Sequence, residues 1–372
     1  MPFPDFEKIL IENGAEETEI TRRILAALPR TPVQQVAPGF QPDKPVSLSR
    51  SKRILYLARF KGEAVKPCPG TRGYLCCGYR ILHIGTNCPM DCSYCILQAY
   101  FNQPYLRIFV NVEEIFQRLR AFVETCPHRP IRLGTGEFTD SLALDPLTGF
   151  TRILHRELES LEGVVVELKT KTAAVSSLLD LPFSSKLIVS WSLNPEEVIR
   201  REERYAASLE ERLEAAVRCQ EKGYLVGFHF DPIFYYPGWE EAYERTVRSL
   251  LASVRSKGIA WISLGCFRYL PSLRAVIEAR HPRASYIHQE FIPALDGKMR
   301  YPQPLRVAVY RKMVEWIRRY DEEVLLYFCM ENPSVWEKVF AFVPGREGPT
   351  LPEMLDRRIR RWWREVNREK GR

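Results

Sequence analysis

Gly85-Thr86-Asn87-Cys88-Pro89-Met90-Asp91-Cys92-Ser93-Tyr94-Cys95 sets three cysteines at CxxxCxxC spacing, directly after an apolar run (residues 81–86) that reads as a β-strand. Working outward, short β-branched runs alternate with amphipathic stretches. Strands are predicted at 131–134, 164–168, 187–192, 225–230 and 261–266, and helices at 112–125, 150–161, 209–222 and 240–257. In the 209–222 helix, Leu209, Leu213, Ala216 and Val217 share an apolar face, and Arg212 is expected among the charges opposite. Six strand–helix units imply a parallel sheet and an open or closed α/β barrel. Ligands should then gather at the C-terminal strand ends.

Three thiolates on one loop suit three irons of a [4Fe-4S] cube, leaving the fourth iron open to an external ligand. S-adenosylmethionine (SAM) on that iron could accept one electron and release a 5′-deoxyadenosyl radical, the protein holding the reactants and excluding water. Two other readings stay open: a zinc site with Cys76 or Cys77 as fourth ligand, and three unligated thiols in a core.

The chain has ten cysteines in 372 residues. Six lie between Cys68 and Cys95, while Cys126, Cys219, Cys266 and Cys329 are scattered. Clustering of this kind in a reducing compartment points to metal or redox chemistry. Residues 1–20 are acidic and lack the basic start and apolar stretch of a secretory signal, so a cytoplasmic protein is expected. Apolar runs fall far short of the ~18 residues a membrane span needs. The net charge of +8 is uneven, with eight basic residues against three acids from Asp356 to Arg372. The last helix, 351–369, puts Leu355, Ile359, Trp362 and Val366 on one face and arginines on the rest. It suits either nucleic-acid contact through Trp362-Trp363 and the arginines, or docking of its Trp face on the core.

CxxxCxxC with an aromatic residue, Tyr94, before the third cysteine resembles the radical SAM superfamily. More narrowly, Cys95-Ile96-Leu97-Gln98, Gln103-Pro104-Tyr105-Leu106-Arg107-Ile108-Phe109-Val110-Asn111, Ser192-Leu193-Asn194, Gly223-Tyr224-Leu225-Val226-Gly227-Phe228 and Gly238-Trp239-Glu240-Glu241 resemble spore photoproduct lyases. The resemblance covers about residues 80–329. It implies a partial (β/α)6 TIM-type barrel with N- and C-terminal extensions, a [4Fe-4S] cluster on Cys88, Cys92 and Cys95, SAM as cofactor, and direct reversal of a thymine lesion in DNA. An external one-electron donor such as flavodoxin or ferredoxin is part of that expectation. The organisation expected is an extension or linker (1–50), a cysteine-containing lead-in (51–79), the barrel with its hairpin (80–345) and a basic helix (346–372). Rival functions are radical modification of a peptide, RNA or small molecule, and a non-catalytic, metal-stabilised nucleic-acid-binding protein.

Gly136 and Glu137, closing the second strand in Gly134-Thr135-Gly136-Glu137, could receive the SAM ammonium through exposed backbone and a nearby carboxylate. Lys171, and Ser192 with Asn194, follow the third and fourth strands; the resemblance implies contacts to SAM's carboxylate and ribose. Asp231 ends the fifth strand and could bind ribose or substrate. Arg300-Tyr301, beyond an Asp296-Gly297 turn, resemble a DNA-facing pair suited to phosphate contact and lesion extrusion. The match breaks at two places. The family's hydrogen-donating cysteine is Glu137 here, and a tyrosine after the third cluster cysteine is Ile96. A carboxylate O–H is too strong to give up a hydrogen atom readily, so Cys329, Cys76 or Cys77 would have to substitute, or the reaction differs.

Overall fold

In a computed structural model the chain is described over residues 5–41, 47–70, 73–101, 104–346 and 348–370. Eight strands form one curled sheet in the order Leu326–Phe328, Ile259–Cys266, Leu225–Ile233, Leu187–Ser192, Val164–Thr170, Ile131–Gly134, Arg80–Leu82, Val65–Pro67. All neighbours run parallel except the last, which is antiparallel to Arg80–Leu82. The middle strands are buried along nearly their whole length because both faces are covered. Helix Val112–Thr125 shows how: Ile115, Phe116, Leu119 and Val123 recur at helical spacing and are all buried.

The expected strand at 81–86 divides. Arg80–Leu82 joins the barrel, while Gly85–Thr86 turns away and pairs antiparallel with Leu106–Phe109. That second strand belongs to another sheet, ordered Val33–Val36, Lys8–Glu12, Ile54–Ala58, Leu106–Phe109, Gly85–Thr86. Within residues 1–50, expected as an extension or linker, Lys8–Glu12 and Val33–Val36 are strands of this sheet and Glu19–Ala27 is a helix. Ile9, Leu10 and Ile11 are buried against Leu55, Tyr56 and Leu57 in a parallel ladder. The cysteine loop leaves the seam between the two sheets.

At the other end of the barrel, helix Leu351–Lys370 buries Leu355, Ile359, Trp362 and Val366, as its periodicity predicts. Trp363 Nε1 donates to Ser185 O at 2.8 Å and Arg358 donates to Ile259 O at 3.0 Å. Both acceptors lie at N-terminal strand ends, so the helix covers the face opposite the C-terminal ends. The Trp pair is packing, not a base-stacking surface. Among the described residues no helix is long and apolar enough to cross a membrane.

Candidate active site

A cavity of about 310 Å3 opens at the C-terminal strand ends, where a parallel barrel gathers its ligands. Cys88, Cys92, Tyr94 and Cys95 line one wall. Their loop is tied down by local bonds. Asn87, at φ 66, donates Nδ2 to Tyr105 O at 2.8 Å. Asp91 pairs with Lys52 at 3.1 Å and Arg280 at 2.9 Å, and Gln98 Nε2 donates to the carbonyls of Cys92 and Ser93. Ser93 Oγ donates to Glu202 at 2.6 Å. Burial pushes the Cys88 thiol up to about 12 and the Cys92 thiol well above its usual range, so a cation is needed to make them thiolates. Among the described residues no group of three or more His, Cys, Asp or Glu side chains is already drawn into metal-holding geometry.

Facing the thiols are the ends of the second to fourth strands. Gly136 lines the cavity, and a Cβ there would lie 2.8 Å from Lys169 Cβ and 2.9 Å from its carbonyl. Only glycine fits. Glu137 reaches Lys169 Nζ at 3.7 Å. Burial pulls Lys169 down, but Glu137, Tyr79 and Glu167 together hold its pKa above the usual lysine range. Asp140 clamps the two loops: Oδ1 accepts from Leu142 N, Ala143 N and Thr170 Oγ1, and Oδ2 from Lys171 N at 2.9 Å. Lys171 Nζ lies 5.8 Å from the centre of the Tyr94 ring, and Ser192 completes this wall.

Asn194 does not face the cavity as expected. Its Nδ2 donates to Glu203 at 2.9 Å and its Oδ1 accepts from Tyr243 at 2.8 Å. Glu203 also takes the Tyr94 hydroxyl and, at 2.5 Å, the guanidinium of Arg212. Burial would raise the Glu203 carboxyl, yet Arg212 and Lys171 hold it at about 2. Arg212 is thus fully buried, not on the solvent face its helix pattern suggested. A carboxylate three-dimensionally adjacent but nine residues away in sequence outweighs periodicity.

Farther along the sheet, the fifth to seventh strands supply Asp231, Arg268 and Cys329. Arg268 grips Asp231 at 2.9 and 3.0 Å and donates to Cys329 Sγ at 3.4 Å. Burial and Asp231 push the Cys329 thiol above its usual range, keeping it S–H. Cys77 and Cys68 also line the cavity, and Cys76 does not. Beneath lies a cluster the sequence did not single out: Glu167 accepts from Ser190 (2.5 Å), His229 (2.8 Å) and Trp261 (3.1 Å). The rule that ligands sit at strand ends would have found Glu167, Lys169, His229 and Arg268.

The hairpin residues are placed differently from expectation. Arg300 is buried, pairs with Asp296 at 2.6 Å and lies 4.5 Å from the Tyr74 ring centre. Tyr301 is buried, stacks on Phe291, and its hydroxyl accepts from Tyr235 N. Neither is free to touch a phosphate or wedge a base. Gln103, part of the sequence match, lies outside the described residues.

The profile of the spore photoproduct lyase family matches residues 76–291, more than half of the chain. The chain belongs to the spore photoproduct lyase family. The spore photoproduct lyase of Bacillus subtilis is 29% identical over 201 residues, 53% of this chain and 59% of that protein. That of a Geobacillus strain is 26% identical over 203 residues, 54% of this chain and 60% of its own. The matches thus span about three fifths of these relatives' length. Among solved structures, a spore photoproduct lyase variant with bound AdoMet and dinucleoside spore photoproduct superposes with a TM-score of 0.78 at 19% identity, covering 88% of this chain and all of that one. The fold of the family, a partial radical SAM barrel, is the fold seen here.

Proposed function

We propose that this spore photoproduct lyase family member is a radical SAM enzyme that reverses a thymine lesion in DNA. One observation carries the reading: a single cavity holds three thiols of one loop on one wall and the complement of an α-amino acid on the other. The donor set fits a [4Fe-4S] cluster better than zinc. Asp140 and Glu203, whose charges bear on Cys88 and Cys92, are committed to other partners. When bound to Cys88, Cys92 and Cys95, that cluster supplies one electron to the SAM sulfonium and so a carbon radical in the cavity.

The chain's own residues bind and orient. Gly136 leaves room for the SAM ammonium beside Glu137, and Lys171 and Ser192 face its carboxylate and ribose. Asn194 and Glu203 act indirectly, fixing Tyr94 and Lys171. The hydrogen atom for the product comes from a thiol, and the sulfur radical left behind is returned to S–H by a hydrogen atom from 5′-deoxyadenosine or by an electron from the external donor with a proton. Cys329 is best placed, lining the cavity and held by Arg268, with Cys77 on the same wall and Cys76 set back. All ten cysteines are free thiols, which suits the reducing cytoplasm and a flavodoxin- or ferredoxin-class electron donor.

The solved relative named above holds a dinucleoside spore photoproduct, and relatives bear the name of that lesion's lyase, so it is the first substrate to test. Anaerobic protein should carry about four irons per chain, cleave SAM when reduced, and restore thymines in lesion-bearing oligonucleotides. Zinc in place of iron, or no SAM cleavage, would overturn the proposal. A second reading, radical chemistry on another substrate, is favoured by Glu137 standing at the family's cysteine position. SAM cleavage with intact lesions would select it.

A further inference from the structure

The cavity has two halves along the sheet. Gly136, Lys169 and Ser192 close the second to fourth strands beside the cysteine loop, whereas Asp231, Arg268 and Cys329 close the fifth to seventh. In the second half the charges are mostly matched. Arg268 is bidentate on Asp231. Arg300 takes both oxygens of Asp296, at 2.6 and 3.5 Å. One further cation reaches the cavity from the hairpin: Lys298. It shares Asp296 only at 3.9 Å, and its ammonium otherwise meets the Met330 thioether at 3.8 Å.

Pairing each arginine with its acid leaves Lys298 as the surplus positive charge of that half. The side chain is only 17% exposed, so water offsets little of the cost of keeping it charged. Burial and the neighbouring Arg268 pull its pKa below the usual lysine range, with Asp296 compensating in part. A desolvated ammonium with one distant carboxylate gains most from an incoming anion.

We propose that Lys298 is the anion anchor of the substrate half of the cavity, and that its ligand is the phosphodiester joining the two nucleosides of the lesion. The inference rests on the nucleic-acid reading above and deepens it. It moves the phosphate contact expected of Arg300 two residues back along the hairpin. Arg300 instead holds the turn through Asp296. Lys298 acts on binding and takes no part in a bond-breaking step.

The test compares two probes on anaerobic, cluster-loaded protein: the lesion as a dinucleoside, and the same lesion as a dinucleoside monophosphate. Wild type should bind the phosphate form about tenfold more tightly, a preference that weakens with added salt. In Lys298→Gln that preference should fall to near unity while affinity for the phosphate-free probe stays within about twofold, and Lys298→Arg should keep most of it. Iron content and the thermal midpoint of each variant verify folding. Equal weakening of both probes in Lys298→Gln would assign the lysine to packing and overturn the proposal. An unchanged preference would do the same, as would weakened SAM binding, which would give Lys298 to the SAM carboxylate. If wild type binds neither probe, the nucleic-acid reading itself fails. If it binds both equally, only the phosphate anchor fails.

Discussion

Replacing Glu203 by Gln keeps the shape but removes the negative charge from a fully buried pair, and it puts an amide donor where one of the two accepting oxygens stood. Arg212 then stays buried without a counter-charge, 0% of either side chain being exposed in the pair. The displacement of the Glu203 carboxyl from 4.5 to about 2 corresponds to about 3 kcal/mol. Breaking a buried ion pair on one side costs about 3–5 kcal/mol, the same size. Because the folded-state pKa is depressed, this stabilisation is complete above about pH 4.5 and is lost as pH falls toward 2. Thermal unfolding of cluster-loaded protein at pH 7 should drop by roughly 5 °C in Glu203→Gln. The gap between wild type and variant should close on acidification through that window. Glu203→Gln with Arg212→Met, which removes both charges, should recover at least half of the loss. A drop below about 1 °C, or a double variant no better than the single one, would refute the reasoning.

Four more outcomes are expected. Cys92→Ala should lose the iron–sulfur absorption of anaerobic protein, read directly by its visible spectrum and iron content. Gly136→Ala should weaken SAM binding at least tenfold by equilibrium dialysis, since relieving the contact with Lys169 costs about 1–3 kcal/mol. Cys329→Ala should raise the 5′-deoxyadenosine formed per repaired lesion about tenfold, as unquenched substrate radicals fail to reach product; the same ratio in Cys76→Ala should stay near wild type. Trp362→Ala should destabilise the fold by about 3–5 kcal/mol in denaturant titration while leaving the salt dependence of lesion binding unchanged.

Local patterns carried the barrel. Strands such as Leu187–Ser192 announce themselves because both faces are buried and every residue is apolar or small. The cysteine spacing likewise lies within one loop. What escaped reading depends on distant partners. Arg212 looks solvent-facing until Glu203 is brought beneath it, and Asn194 looks like a ligand contact until Tyr243 and Glu203 claim its amide. Lys8–Glu12 gives no strand signal of its own, because its sheet partners, Val33–Val36 and Ile54–Ala58, lie over 20 and over 40 residues further on. Arg300 and Lys298 share a short hairpin, and only the packing of Tyr74 and Asp296 shows which one turns inward.

The strand Ile54–Ala58 is bonded on both sides, to Lys8–Glu12 and to Leu106–Phe109. A chain trimmed to begin near residue 47 would strip one side bare, exposing the amides and carbonyls of Ile54-Leu55-Tyr56-Leu57 as a greasy ribbon that a second copy could extend. Such a fragment would keep every cysteine and every cavity residue. Its failing would be solubility, and the precipitate would wrongly suggest a defect at the iron.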